Sequence, residues 1–236
     1  MSYVNGPSYG IWSWVLLFVL LVLFPLMAAQ NSRVRNVDQI PRISIYISSC
    51  IVLWALFAGA MLVLKVEDSP PATLGLHFRL DFAHAIVWVL ALVLYSLTIA
   101  AGAQELRQRL NVPVPPILAR VLPETPQETL VFLFVVCPTA GIAEEVLFRA
   151  FAITRLSVIT GDLWSATAVA AVAFAFGHTY QGTIGMVSTA LIGLGYSVSY
   201  LVTGSLMPAI AAHMLHNALS AFLFKFEPAS GSGLRP

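Results

Sequence analysis

The chain has 236 residues, 58% of them hydrophobic and only 10% charged, with a formal net charge of +1. Soluble domains carry about 25% charged residues, so this composition is that of an integral membrane protein with little room for a separate soluble domain. It holds no basic stripe that could track a phosphate backbone, which excludes nucleic acid as a partner.

A bilayer core takes about 20 apolar residues per helix. The first apolar run, Ile11 to Ala29, ends in small residues as a signal peptide does. No Lys or Arg precedes it, however, and it exceeds the usual h-region of about 7–15 residues. It reads as a retained first transmembrane helix. Further spans are expected near 43–64, 83–103, 128–152, 163–179, 184–203 and 206–224. An eighth element, a short interfacial helix, is expected around Val112–Leu122, where Pro113, Pro115 and Pro116 oppose a straight span. The expected fold is therefore all-α, a polytopic transmembrane bundle of seven to eight helices.

Polar connectors run over Asn31–Arg42, Val66–Asp81 and Gln104–Gln127. Arg33, Arg35 and Arg42 follow the first helix, and Arg107, Arg109 and Arg120 follow the third. By the positive-inside rule these two connectors are cytoplasmic and the N-terminus is outside. The Val66–Asp81 connector has fewer basic residues, Arg79 with Lys65 at its edge. Cys50 and Cys137 lie in apolar runs and read as packing residues rather than a disulfide or metal pair. Gly182, Gly185, Gly193, Gly195 and Gly204 read as points of close helix approach.

Against this apolar background one stretch stands out, Glu144-Glu145-Val146-Leu147-Phe148-Arg149. Each ionised side chain near a bilayer centre costs about 2.5–3.5 kcal/mol on insertion scales, so these three must be satisfied within the protein. On an α-helix Glu145 and Arg149 are stacked at i,i+4 with the acid N-terminal, the better orientation for a pair. Glu144 points elsewhere and is expected to be unpaired. Downstream, from Leu163 to Phe224, the chain has no Asp, Glu, Lys or Arg, only His178, His213 and His216. Phe174 precedes His178 by four residues and can wall its imidazole. His213 and Asn217, also i,i+4, can serve as helix glue or as two donors to a developing oxyanion. His216 lies one residue off that face and is set aside. A carboxylate, two imidazoles and an amide on three helices, with few competing polar groups, point to one shared site.

Glu-Glu-x-x-x-Arg (144–149), Phe-x-x-x-His (174–178) and His-x-x-x-Asn (213–217) together resemble, in order and spacing, the motifs of the CPBP family. This is the CAAX protease and bacteriocin-processing family, also called Abi, which includes the Ras-converting CAAX endopeptidases. The resemblance covers roughly residues 128–220. It implies an intramembrane endopeptidase in which Glu144 acts as general base on a water that His178 helps to position. His213 and Asn217 would stabilise the oxyanion, with Glu145, Arg149 and Phe174 supporting the site. The implied organisation is 1–127 as helices without signature, 128–225 as catalytic core and 226–236 as a disordered tail. The implied partners are a peptide or membrane-protein substrate and the lipid bilayer.

Zinc is the alternative cofactor, with Glu144, His178 and His213 as ligands and a fourth position open. The chain has no His-Glu-x-x-His, its cysteines are remote from the motifs, and Arg149 opposes a cation beside the carboxylates. A mechanism without a cofactor is therefore favoured. The competing functions are a non-catalytic scaffold or bacteriocin-immunity protein, which would tolerate loss of Glu144 and His178, and a proton-relay transporter, which would need broken helices in matching halves.

Overall fold

A computed structural model describes residues 9–33, 39–77 and 80–223. The expected tail, Arg35 and Arg79 lie outside the described residues. Among those described, the chain is helical and has no strand. Its helices are α1 (Ile11–Asn31), α2 (Arg42–Val66), α3 (Phe82–Arg109), α4 (Pro116–Val121), α5 (Pro126–Thr160), α6 (Leu163–Phe176), α7 (Gly182–Thr203) and α8 (Met207–Leu223). Helices α1, α2, α3, α5 and α7 are long and apolar enough to cross a membrane, whereas α6 is a shorter apolar helix. The protein is a multi-pass integral membrane protein. The short helix expected around Val112–Leu122 is α4, which starts at Pro116, where the missing N–H has no cost.

Local chemistry sets the ends of these helices. Asp81 caps α3 by accepting from the His84 N–H. Thr125 and Glu128 form a reciprocal capping box at the start of α5. Asp162 caps α6 by accepting from the Trp164 and Ser165 N–H groups.

Helix α5 lies at the centre of the bundle and packs against α2, α6 and α8, while α3 covers α7 and α8. It runs for 35 residues, longer at both ends than the span expected at 128–152. Three stretches in the bundle have π-helical pitch: Val19–Leu23 in α1, and Phe132–Val136 and Glu145–Ala152 in α5. The first two lie just before Pro25 and Pro138. A proline ring crowds the carbonyl four residues back and donates no hydrogen bond, and a wider turn relieves both problems. No proline follows the third stretch within its length. It coincides with the charged motif, and all eight of its residues are buried.

The glycine series divides into two roles. Gly182 and Gly204, at φ +72° and +66°, serve turns at the ends of α7 rather than helix contact. Gly193 is a packing glycine: a Cβ there would sit 2.9 Å from Arg149 Nη2 and 3.4 Å from the Phe174 ring. Gly141, outside the expected series, lets α5 approach α8, since its Cβ would meet the Ile210 carbonyl at 3.1 Å. Cys137 packs with Tyr46 and Phe132, and Cys50 is likewise buried and free.

The two ends of the bundle are tied differently. At one end Arg42 pairs with Glu124, the Tyr46 hydroxyl donates to the Val121 carbonyl at 2.9 Å, and Arg120 donates to the Ile40 carbonyl. At the other, Ser13 donates to Glu67 through both its N–H (3.1 Å) and its hydroxyl (2.7 Å), and Arg155 Nε donates to Ser13 Oγ at 3.3 Å.

Candidate active site

The close approach at Gly141 brings His213 of α8 against the two glutamates of α5. His213 Nδ1 lies 2.7 Å from Glu145 Oε1, and its Nε2 lies 3.8 Å from Glu144 Oε2. Glu145 is fully buried, and Glu144 and His213 are nearly so. Both carboxylates therefore address one imidazole from its two edges. This differs from the expectation that Glu144 stands unpaired. Adjacent helical residues do diverge by about 100°, but a ring with a nitrogen on each edge can meet both.

Arg149 completes the turn. Its Nε lies 3.3 Å from Glu145 Oε2, but the alignment is too poor for a hydrogen bond, and Oε2 has no other partner among the described residues. The main partner of Glu145 is thus His213 rather than Arg149. The guanidinium instead sits over the Phe174 ring, 4.1 Å from Cζ to centroid, and near the Tyr196 ring at 5.9 Å. Such cation–π contacts gain strength when desolvated, and Arg149 is only 2% exposed.

His178 lies one residue beyond the end of α6, ahead of the 3-10 turn Thr179–Gln181. Its Nδ1 is 2.8 Å from the Phe174 carbonyl. A carbonyl can only accept, so Nδ1 carries the proton and Nε2 is left with a lone pair. The Phe174 ring stacks 4.6 Å from the imidazole centroid and so walls it.

These residues meet at a cavity of about 200 Å³. Arg149, Phe174, His178, His213 and Asn217 all line it. Neither Glu144 nor Glu145 lines it, and both reach it through their contacts with His213. The remaining wall includes residues that the motifs do not mark: Tyr180, Gln181, Tyr196, His216 and, from α3, Arg107. His216 belongs to the cavity after all, since one residue's offset along α8 still leaves its ring on the lining face. The Tyr196 hydroxyl and His216 Nδ1 are buried without a partner among the described residues. Arg107 is buried despite its place in a charged connector, and it donates to the Pro113 and Gln181 carbonyls at 2.9 Å each. Its only signal in the sequence is its register, since it shares the α3 face of Ala100, Ala103 and Gln104.

Among the described residues no three His, Cys, Asp or Glu side chains group as metal ligands. His213 Nδ1 is bonded to Glu145 and His178 Nδ1 to a backbone carbonyl, which leaves Nε2 of each ring as the nitrogen open to a ligand.

Compared with known proteins, residues 126–219 match the family model described as type II CAAX prenyl endopeptidase Rce1-like. No curated protein and no solved structure matches the chain. The matched segment begins at the first residue of α5 and ends in α8, so it takes in all three motifs and the glutamate–histidine contact between them. Over this segment the membrane bundle is similar to the Rce1-like family of type II CAAX prenyl endopeptidases.

Proposed function

We propose that the protein is an intramembrane endopeptidase in which Glu144 activates the attacking water and no metal takes part. The observation that carries this reading is the placement of Glu144 and Glu145 on the two nitrogens of one cavity-lining imidazole. Glu144 takes a proton from water while the water oxygen attacks the scissile carbonyl, and His178 Nε2 accepts the water's second hydrogen bond. The carbonyl oxygen becomes an oxyanion. Asn217 donates to it through its amide and His213 through Nε2–H. Because His213 Nδ1–H is already given to Glu145, the ring must carry a proton on both nitrogens to do this, and the two carboxylates supply the counter-charge. The C–N bond then breaks and the leaving amine takes the proton held by Glu144, which restores the carboxylate. The substrate class proposed is a CAAX-like peptide at the end of a membrane-anchored protein.

The test is cleavage of a prenylated CAAX-type peptide by purified protein with a chelator present throughout. The wild type is expected to cleave, and Glu144→Gln and Glu144→Ala to lose at least about 10³-fold in kcat, on the scale of removing a general base together with its water. Full activity in Glu144→Gln would sink the base assignment, and activity that vanishes with chelator and returns only with zinc would sink the metal-free one.

A further inference from the structure

We infer that Arg149 is a substrate-binding residue whose guanidinium receives the free α-carboxylate at the C-terminus of the peptide being cut. The inference rests on the endopeptidase reading above. Arg149 is 2% exposed and lines the cavity, yet neither Nη1 nor Nη2 finds a hydrogen-bond partner among the described residues. Its contact with Glu145 goes through Nε rather than through either terminal nitrogen. The two terminal nitrogens therefore present four N–H donors together. A guanidinium end of this kind matches a carboxylate, which takes two parallel charge-assisted bonds, better than it matches a single carbonyl.

The surroundings enclose the fork and hold it in place without giving it an acceptor. Phe174 lies against its face, Tyr196 lies further off, and Gly193 leaves the space that Nη2 occupies. Aromatic faces and a bare backbone orient a cation but offer no acceptor. Glu145, the ion-pair partner of Arg149, gives its shorter bond to His213. The distance also suits a terminal residue. The 2.7 Å and 3.3 Å contacts, with one carboxylate between them, put the guanidinium within ~8 Å of the His213 ring, and two to three extended residues span that at about 3.3 Å each. A carboxylate seated on Arg149 thus sets the cut a few residues from the chain end, as a ruler measured from the terminus.

Two measurements test this. Peptides released from a membrane proteome by the wild type are compared with those released by Glu144→Ala, and the expected Glu144-dependent products are short C-terminal pieces. The corresponding substrate peptide is then made as the free acid and as the C-terminal carboxamide. The wild type is expected to prefer the acid by about 10- to 100-fold in kcat/KM, mostly through KM, which is the range of a lost charge-assisted pair. In Arg149→Gln that ratio is expected to fall toward one. Equal cleavage of acid and carboxamide by the wild type, an undiminished ratio in Arg149→Gln, or cuts far from chain ends would overturn the inference while leaving the endopeptidase reading intact. An absence of Glu144-dependent products would instead overturn the endopeptidase reading. Should Arg149→Gln fail to fold, the wild-type comparison decides alone.

Discussion

At the scale of single residues, the site divides roles between atoms of the same side chain. His213 spends one nitrogen on Glu145 and keeps the other for the cavity. Asn217, one turn further along α8, lines the same cavity and has only its side-chain amide to offer. If both donate to the oxyanion, Asn217→Ala should lower kcat by about 10²–10³-fold with KM little changed. Steady-state kinetics on a cleaved peptide checks this, and a raised KM with unaltered kcat would mark Asn217 as a ground-state contact. The residues of this site were legible because hydrocarbon leaves so few reasons for polarity. From Thr129 to Phe224 the only other charges are Arg155 and Asp162, so Glu144, Glu145, Arg149, His178, His213 and Asn217 are conspicuous. Their pairing was less legible. Helical phase put Arg149 on Glu145 and left Glu144 alone, whereas His213 takes both acids, a contact between residues 68 positions apart that no local pattern encodes.

At the scale of elements, the positions of the helices follow from run length and from caps. Thr125 with Glu128 and Asp162 mark the starts of α5 and α6 in the sequence itself. The π-helical turn over Glu145–Ala152 does not announce itself in that way, because no proline forces it. Wide turns of this kind recur at functional sites, and here one carries both Glu145 and Arg149. Arg107 was equally hidden, reading as one more connector charge. It is a clamp between the end of α3, the Pro113 loop and the turn after His178. Arg107→Met should strand two carbonyls at about 1–3 kcal/mol each if no water replaces the bonds. Thermal unfolding in detergent should show the loss, and activity should fall with it because the His178 turn is released. Arg107→Lys should recover only part of both, since one ammonium cannot reproduce a planar fork. Wild-type stability in Arg107→Met would show that the clamp holds nothing.

At the scale of the whole molecule, the cavity and the arginines share one end of the bundle. Gln104 and Arg107 at the end of α3, Leu118 and Val121 of α4, and Gln181 all line the cavity, while Arg42 and Arg120 tie the same end together. An external N-terminus, taken from the arginine count, would carry the span after α4 outward and put Glu144 in its outer half. The structure eases this. Helix α5 extends from Pro126 to Thr160, so Glu144 is near its middle, and the cavity lies toward the arginine-bearing end. On the positive-inside rule the cavity is expected on the cytoplasmic side, with the N-terminus outside. Single cysteines placed in the Gly75 turn and at Gln108 test this in intact cells. The Gly75 site should react with a membrane-impermeant thiol reagent and the Gln108 site only after permeabilisation. The reverse pattern would invert the molecule.

One feature of α6 bears on how water reaches such a place. Its 14 residues, Leu163–Phe176, rise only about 21 Å, against a hydrocarbon slab of about 30 Å. The neighbouring α5 has 35 residues and no such deficit. Thinning of the bilayer beside a short helix is one way such a deficit is met, and at the end of α6 it would bring the lipid surface toward His178. A water entering there would have less oil to cross than the bundle's overall height suggests, and the local depth of the membrane would become part of the site's architecture.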